Sequence, residues 1–318
     1  MSKYKVVVTA RSFGKTDAYA TDLLEENGCE VVKLDGAKSP IEEQLKEAIV
    51  DADAVIAGLE DYPGELIASA KKLKVISRYG VGYDKVDLQA AKDNGVIVTI
   101  TPGANGDSVA DLAMALMLDL ARNVTIMDNS IKGKAQRRPS GVEMYQKTLG
   151  VIGAGRIGQG VARRCRGFDM KILCYDMYQN EDFKKETGAC YVDLDTLLKE
   201  SDFITIHSPL TKETENMISA REFQMMKKDA IIVNTARGGI IDEAALYEAL
   251  KSGEIRGAGL DATVEEPPYE SPLLELENCI LTPHAGAATA EASSKMSCMA
   301  ARNVIEVLES GDCKFAVK

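Results

Sequence analysis

Tryptophan is absent from this 318-residue chain, and histidine occurs only twice, as His207 and His284. Two histidines exclude a three-His zinc centre built from this chain alone, and no metal site is expected. No run of about 18 apolar residues occurs, so no membrane-spanning helix and no membrane partner are expected. The amino terminus enters a β-branched segment at residues 5–9 without an apolar secretion segment. The seven cysteines are odd in number and form no Cys-x-x-Cys pair. Neither a disulfide framework nor a zinc ribbon fits that pattern, and a reduced, cytoplasmic setting is expected. Basic residues are also scarce: 38 Lys and Arg stand against 49 Asp and Glu, a net charge of -11. Such a chain has no electrostatic drive toward a phosphate backbone, so a nucleic-acid partner is not expected. Internal repeats and low-complexity tracts are missing too.

What remains is an ordinary globular composition, 45% hydrophobic and 27% charged. At about 150 residues per domain its length suggests two domains. Short apolar runs alternate with amphipathic stretches. Residues 5–9, 30–34, 54–57, 74–77 and 96–99 read as strands, and residues 16–27 as a helix stopped at Gly28. Ser39-Pro40-Ile41-Glu42 reads as a helix start, with Ser39 as N-cap and Glu42 closing a capping box. Residues 108–123 read as a long helix, followed by a basic, broken segment at 132–147. The alternation then restarts, with strands at 148–152, 171–175, 203–206, 230–233, 257–260 and 279–281. Helices are expected at 242–252 and 289–310. Strands separated by helices imply βαβ units and parallel sheets, hence two doubly wound α/β units in series.

Gly153-Ala154-Gly155-Arg156-Ile157-Gly158 follows one such strand and opens a helix. The first glycine allows a tight turn, the second lets backbone approach a pyrophosphate, and the third lets helix pack on strand. The helix N-terminus attracts phosphate charge. Asp176 ends the next strand, where a carboxylate accepts from an adenosine ribose and repels a 2′-phosphate. The motif sits in the second unit, so the first must do something else. The remaining unusual polar residues fall just after strands: Arg78 to Gly82, Asn105, His207, Asn234 to Gly239, Asp261 with Glu266, and His284. Ligands of open α/β sheets bind beyond the carboxyl ends of the strands. A cation for a carboxylate, a proton donor and an acid to orient it make up a hydride-transfer set.

These segments together resemble the D-isomer-specific 2-hydroxyacid dehydrogenases, especially phosphoglycerate-dehydrogenase-like members, over most of the chain. Arg78-Tyr79-Gly80-Val81-Gly82-Tyr83-Asp84 is similar to the family's substrate-carboxylate loop. Thr101-Pro102-Gly103 with Asn105 and Ser108-Val109-Ala110-Asp111 is similar to its crossover into the cofactor domain. Asn234-Thr235-Ala236-Arg237-Gly238 resembles the segment with the catalytic Arg, Leu260-Asp261 through Glu266-Pro267 that with the catalytic Glu, and Pro283-His284-Ala285-Gly286 that with the catalytic His. Two departures concern packing: Asp261-Ala262-Thr263 replaces a frequent Asp-Val-Phe, and a Trp before the glycine motif is lacking.

The resemblance implies a flavodoxin-like substrate-binding domain at residues 1–101, rejoined by 285–318, and a Rossmann NAD-binding domain at 102–284. It implies a homodimer through the NAD-binding domain; the C-terminal regulatory domain of longer members is not expected, because the sequence stops soon after the last helical stretch. The expected activity is NAD-dependent interconversion of a small D-2-hydroxyacid and its 2-oxoacid. Arg237 would hold the carboxylate, His284 would carry the proton, and Glu266 would orient the imidazole and favour its protonated form. Cofactor contacts are expected at Gly153, Gly155, Arg156, Ile157, Gly158, Asp176, His207, Ser208, Pro209, Thr235, Ala236, Asp261 and Gly286, with Asp261 orienting the nicotinamide amide. Substrate contacts are expected at Arg78, Tyr79, Gly80, Val81, Gly82 and Asn105. Arg78 and the basic 132–138 segment leave 3-phosphoglycerate open beside hydroxypyruvate and glyoxylate. An alternative is an NAD(H)-sensing interaction protein on the same fold, like the family's transcriptional corepressors.

Overall fold

A computed structural model describes residues 2–317 and divides them into two units. One takes the chain up to Asn105 and again from Ala288; the other is Gly106–Ala287.

In the first unit β1 (Tyr4–Val8), β2 (Cys29–Lys33), β3 (Ala54–Ala57), β4 (Val75–Arg78) and β5 (Ile97–Thr99) form one parallel sheet in the order β2-β1-β3-β4-β5. That is the flavodoxin-like order, with its switch point between β1 and β3. Parallel strands buried on both faces need near-continuous apolar runs, and Ala54-Val55-Ile56-Ala57 is fully buried. Ala20 and Leu24 of helix Tyr19–Glu26 cover one face together with Ala300, Val304 and Val307 of helix Ala290–Ser310. Leu45, Ile67 and Ala91, from three short helices, cover the other. The last helix starts where Thr289 Oγ1 accepts from Ala292 N and stops at Gly311, whose φ is +76°.

One helix start differs from the sequence expectation. Pro40 (φ −50°, ψ 135°) occupies the N-cap of Ile41–Ala48, and no side chain caps it. Gln44 fastens the turn instead: its Nε2 donates to Ser39 O and Asp35 O, and its Oε1 accepts from Asp35 N. The proline moves the cap one residue along, so Ser39 loses the N-cap position that its hydroxyl needs.

The second unit holds β6 (Thr148–Ile152), β7 (Lys171–Tyr175), β8 (Cys190–Tyr191), β9 (Phe203–Ile206), β10 (Ile231–Asn234), β11 (Gly257–Leu260) and β12 (Cys279–Leu281). All are parallel, in the order β12-β11-β10-β9-β6-β7-β8. This is the Rossmann order with a seventh strand, and its switch point lies between β6 and β9. Strand residues alternate between two cores. Val151, Cys174, Ile231 and Val233 pack with helices Gly106–Arg122 and Arg156–Cys165; Ile152, Leu173, Ile204 and Ile232 face the other side. The sequence reading missed helix Val124–Lys132 and the two-residue β8. Asn123 adopts φ +54° between two helices. Asn tolerates that left-handed conformation, so the break carried no Gly or Pro. Among the described residues no helix is long and apolar enough to cross a membrane.

Candidate active site

The turn after β6 is shaped by missing side chains. Gly153 has φ +89°, and a Cβ there would lie 2.7 Å from His207 C and Ser208 N. A Cβ at Gly158 would lie 2.2 Å from Gly153 O. Gly155 differs: nothing lies within 4 Å of its would-be Cβ. It is also the N-cap of helix Arg156–Cys165, which no side chain caps. Two glycines therefore close the turn, and the middle one opens onto helix N–H groups that lack a cap. Arg156 is exposed and Ile157 half-buried in the first turn. Asp176 directly follows β7, and its carboxylate accepts from Ala154 N (2.7 Å) and Tyr178 N (2.8 Å). A donor cradle for phosphates with a carboxylate beside it fits a dinucleotide with an unphosphorylated ribose.

His207 follows β9. Thr205 Oγ1 lies 2.8 Å from its Nε2 and Thr235 Oγ1 3.4 Å from its Nδ1. Burial pushes the imidazole down to about 3. The ring is neutral at neutral pH, one nitrogen donating and the other accepting. Two residues on, Pro209 O accepts from Thr214 Oγ1 at 2.7 Å. The low value has a stability consequence. Below the ordinary value of 6.5 the unfolded chain takes up a proton that the folded chain refuses. This contribution is therefore complete above that pH and declines as the pH falls toward about 3. Urea midpoints measured between about pH 7 and about pH 5 should fall more for the wild type than for His207→Gln. Parallel declines would mean that this ring is not a neutral, buried one.

Arg237 sits in the turn after β10. Asn234, almost fully buried, folds over this turn: its Oδ1 accepts from Ala236 N (3.0 Å) and its Nδ2 donates to Arg237 O (2.7 Å). This is an Asx-type turn. Arg237 Nη1 donates to Ala236 O at 2.8 Å. Next, Gly238 touches the segment after β11. A Cβ there would lie 2.1 Å from Thr263 C and O and 2.4 Å from Val264 N. Only glycine lets the loops bearing Arg237 and Glu266 meet backbone to backbone.

Glu266 and His284 meet directly. His284 Nδ1 lies 2.9 and 3.1 Å from the two carboxylate oxygens. His284 has φ +51°, and its N–H donates to Thr282 O. A non-glycine residue there stores about 1–3 kcal/mol and persists only if its surroundings impose it. Asp261, 3% exposed, imposes it. Its Oδ1 accepts from Thr282 Oγ1 (2.6 Å) and Ala285 N (2.7 Å), and its Oδ2 from Gly286 N (2.8 Å). Asp261 thus anchors the His284 loop, a task that the sequence reading did not foresee.

The expected substrate contacts belong to the other unit. Arg78 is 5% exposed; its Nε donates to Gly82 O at 2.9 Å and its Nη1 to Gly58 O. The sequence suggested a phosphate reader; in the structure this side chain ties its own loop to the turn after β3 through main-chain carbonyls. Tyr79 likewise points into its unit, where its hydroxyl donates to Ser293 O (2.9 Å) and accepts from Ser12 Oγ (3.2 Å). Gly80 O accepts from Thr101 N and Thr101 Oγ1. Val81 is exposed and Gly82 half-buried in the loop so held, and Asn105 is half-buried where the unit ends. Arg137 of the basic segment pairs with Glu277 beside a cavity of about 710 Å³ along edge strand β12. Three thiols, Cys165, Cys174 and Cys279, are pushed up to about 12 by burial and are unsuited to nucleophilic work.

Residues 114–286 match the family model described as "D-isomer specific 2-hydroxyacid dehydrogenase, NAD binding domain". A glyoxylate reductase from Korarchaeum cryptofilum is 45% identical over 274 residues, covering 84% of this chain and 82% of its own. A D-3-phosphoglycerate dehydrogenase from Methanocaldococcus jannaschii is 47% identical over 296 residues, covering 91% of this chain but 56% of its own. The solved D-lactate dehydrogenase of Aquifex aeolicus, complexed with NAD and lactic acid, is 31% identical with a TM-score of 0.82, over 97% of this chain and 96% of that one. The chain therefore belongs to the D-isomer specific 2-hydroxyacid dehydrogenase family and is an NAD-dependent oxidoreductase of 2-hydroxyacids.

Proposed function

We propose that this enzyme interconverts a small, unphosphorylated D-2-hydroxyacid and its 2-oxoacid, with glyoxylate and hydroxypyruvate as the substrate class. The observation that carries the reading is the 2.9 Å pair of His284 Nδ1 and Glu266. A carboxylate at Nδ1 demands a proton there and leaves Nε2 as the nitrogen that exchanges a proton with substrate. NAD(H), when bound, supplies or accepts the hydride. Arg237 grips the substrate carboxylate with its planar fork and polarises the carbonyl oxygen. His284 gives that oxygen a proton during reduction and removes it during oxidation. Glu266 keeps the ring in one tautomer and one orientation. The bracing of Arg78 supports an unphosphorylated substrate, since two nitrogens of that guanidinium already donate to main-chain carbonyls.

The test is a steady-state panel of glyoxylate, hydroxypyruvate, phosphohydroxypyruvate and branched 2-oxoacids, each with NADH and NADPH. Glyoxylate or hydroxypyruvate with NADH should give the highest kcat/KM. Preference for the phosphorylated acid would reverse the substrate reading. Asp176 should make NADH strongly preferred, because a 2′-phosphate meets a fixed carboxylate. Met177 and Tyr178, which follow it, are exposed and supply no cation. Asp176→Ser should narrow the preference mainly by weakening NADH. A wild-type enzyme indifferent to the two cofactors would detach Asp176 from the ribose.

A further inference from the structure

We infer that Glu243 is a positioning residue for the Glu266–His284 pair, holding the segment that carries Glu266 through the main-chain N–H of Val264. The inference rests on the assignment of the proton-transfer pair made above. Glu243 is the first residue of helix Glu243–Ser252, next to the N-cap Asp242, whose carboxylate accepts from Ala244 N and Ala245 N. Capping the helix is thus the work of Asp242, and Glu243 turns elsewhere. Its Oε1 accepts from Val264 N at 2.7 Å. Val264 lies two residues before Glu266, in a stretch without regular structure.

Three restraints converge on this stretch. Thr263 Oγ1 donates to Glu265 O at 2.7 Å, Gly238 presses on Thr263 and Val264 from the Arg237 side, and Glu243 grips Val264 N. The first acts only within the stretch, and the second is a contact without direction. The Glu243 bond is directional and ties the main chain of the stretch to a helix. The two carboxylates are also electrostatic neighbours: burial, and then the Glu266 charge, push the Glu243 carboxyl upward. A half-buried carboxylate beside a second one is an unfavourable placement unless a hydrogen bond compensates it. Glu243 does not touch the reacting atoms, so its effect must pass through the orientation of Glu266.

The test compares Glu243→Ala, Glu243→Gln and His284→Asn in the full chain, with glyoxylate or hydroxypyruvate and NADH. Glu243→Ala should lower kcat by about ten-fold, less than the roughly hundred-fold that a 1 Å misplacement can cost. NADH affinity, read by fluorescence titration, and KM for the oxoacid should each stay within about two-fold, since both depend on uniform binding rather than on proton transfer. Glu243→Gln keeps an oxygen that accepts from Val264 N–H and should recover most of the loss. A purely structural role would instead lower thermal stability in both variants without that kcat-specific pattern. Wild-type kcat in Glu243→Ala, or a Gln variant as slow as the Ala variant, overturns the inference. If Glu243→Ala does not fold, Glu243→Asp takes its place: one methylene short of Val264 N, it should be slow where Gln is fast, and equal rates overturn the inference. Turnover that survives in His284→Asn brings down the proton-transfer assignment itself, whereas an inactive His284→Asn beside a wild-type-like Glu243→Ala removes Glu243 alone.

Discussion

Replacing His284 with asparagine should lower kcat for oxoacid reduction by about two to four orders of magnitude, the usual share of a positioned general acid. Asn suits the backbone, because it tolerates the left-handed conformation that His284 adopts at φ +51°. The anchor from Asp261 to Thr282, Ala285 and Gly286 does not involve the imidazole, so the loop should stay in place. Loss of turnover would then report loss of the proton rather than loss of structure. NADH affinity should change little. A variant with more than about one-tenth of wild-type kcat would give the proton to another group.

The second large effect is expected at Arg237. Arg237→Lys keeps a positive charge but replaces a planar fork with a point donor. Substrate carboxylate and carbonyl oxygen need paired donors in one plane, which a lysine cannot supply. Truncating one partner of a close charge pair costs about 2–5 kcal/mol. A loss of about hundred-fold in kcat/KM for the oxoacid, near the lower part of that range, is the expected outcome. The turn itself should survive, because Asn234 holds it through main-chain atoms of Ala236 and Arg237. Unchanged NADH binding beside the lost kcat/KM would confine the effect to substrate. Kinetics within about two-fold of wild type would take Arg237 out of the site.

Much of the architecture was legible because burial writes itself into composition. Central strands such as Ala54–Ala57, Phe203–Ile206 and Ile231–Asn234 are buried on both faces and mostly apolar, and intervening helices carry one apolar stripe. Elements that bury little were not legible. Strand Cys190–Tyr191 is a two-residue sheet edge, and helix Val124–Lys132 starts at an asparagine break. In the candidate site, the polar residue types at strand ends were visible, but their partners were not. Spacing could list Glu266 and His284; it could not say that 18 residues of chain fold back to a 2.9 Å contact. Asp261 read as a ligand contact; the sequence did not also reveal that three donors from one loop converge on its carboxylate. The Asn-x-x-Arg pattern at Asn234 was the one local signal that could have given the Arg237 turn in advance, since Asn closes on the amide two residues later.

The Asp261 anchor also bears on how the molecule breathes. Loop amides usually trade their hydrogens with solvent quickly, because small local openings suffice. Those of Ala285 and Gly286 donate to a buried carboxylate at 2.7 and 2.8 Å. Their release breaks both bonds to Asp261, a buried residue directly after β11 of the seven-stranded sheet. The segment bearing His284 is irregular in shape, but these two amide hydrogens should exchange at the pace of the sheet rather than of a loop.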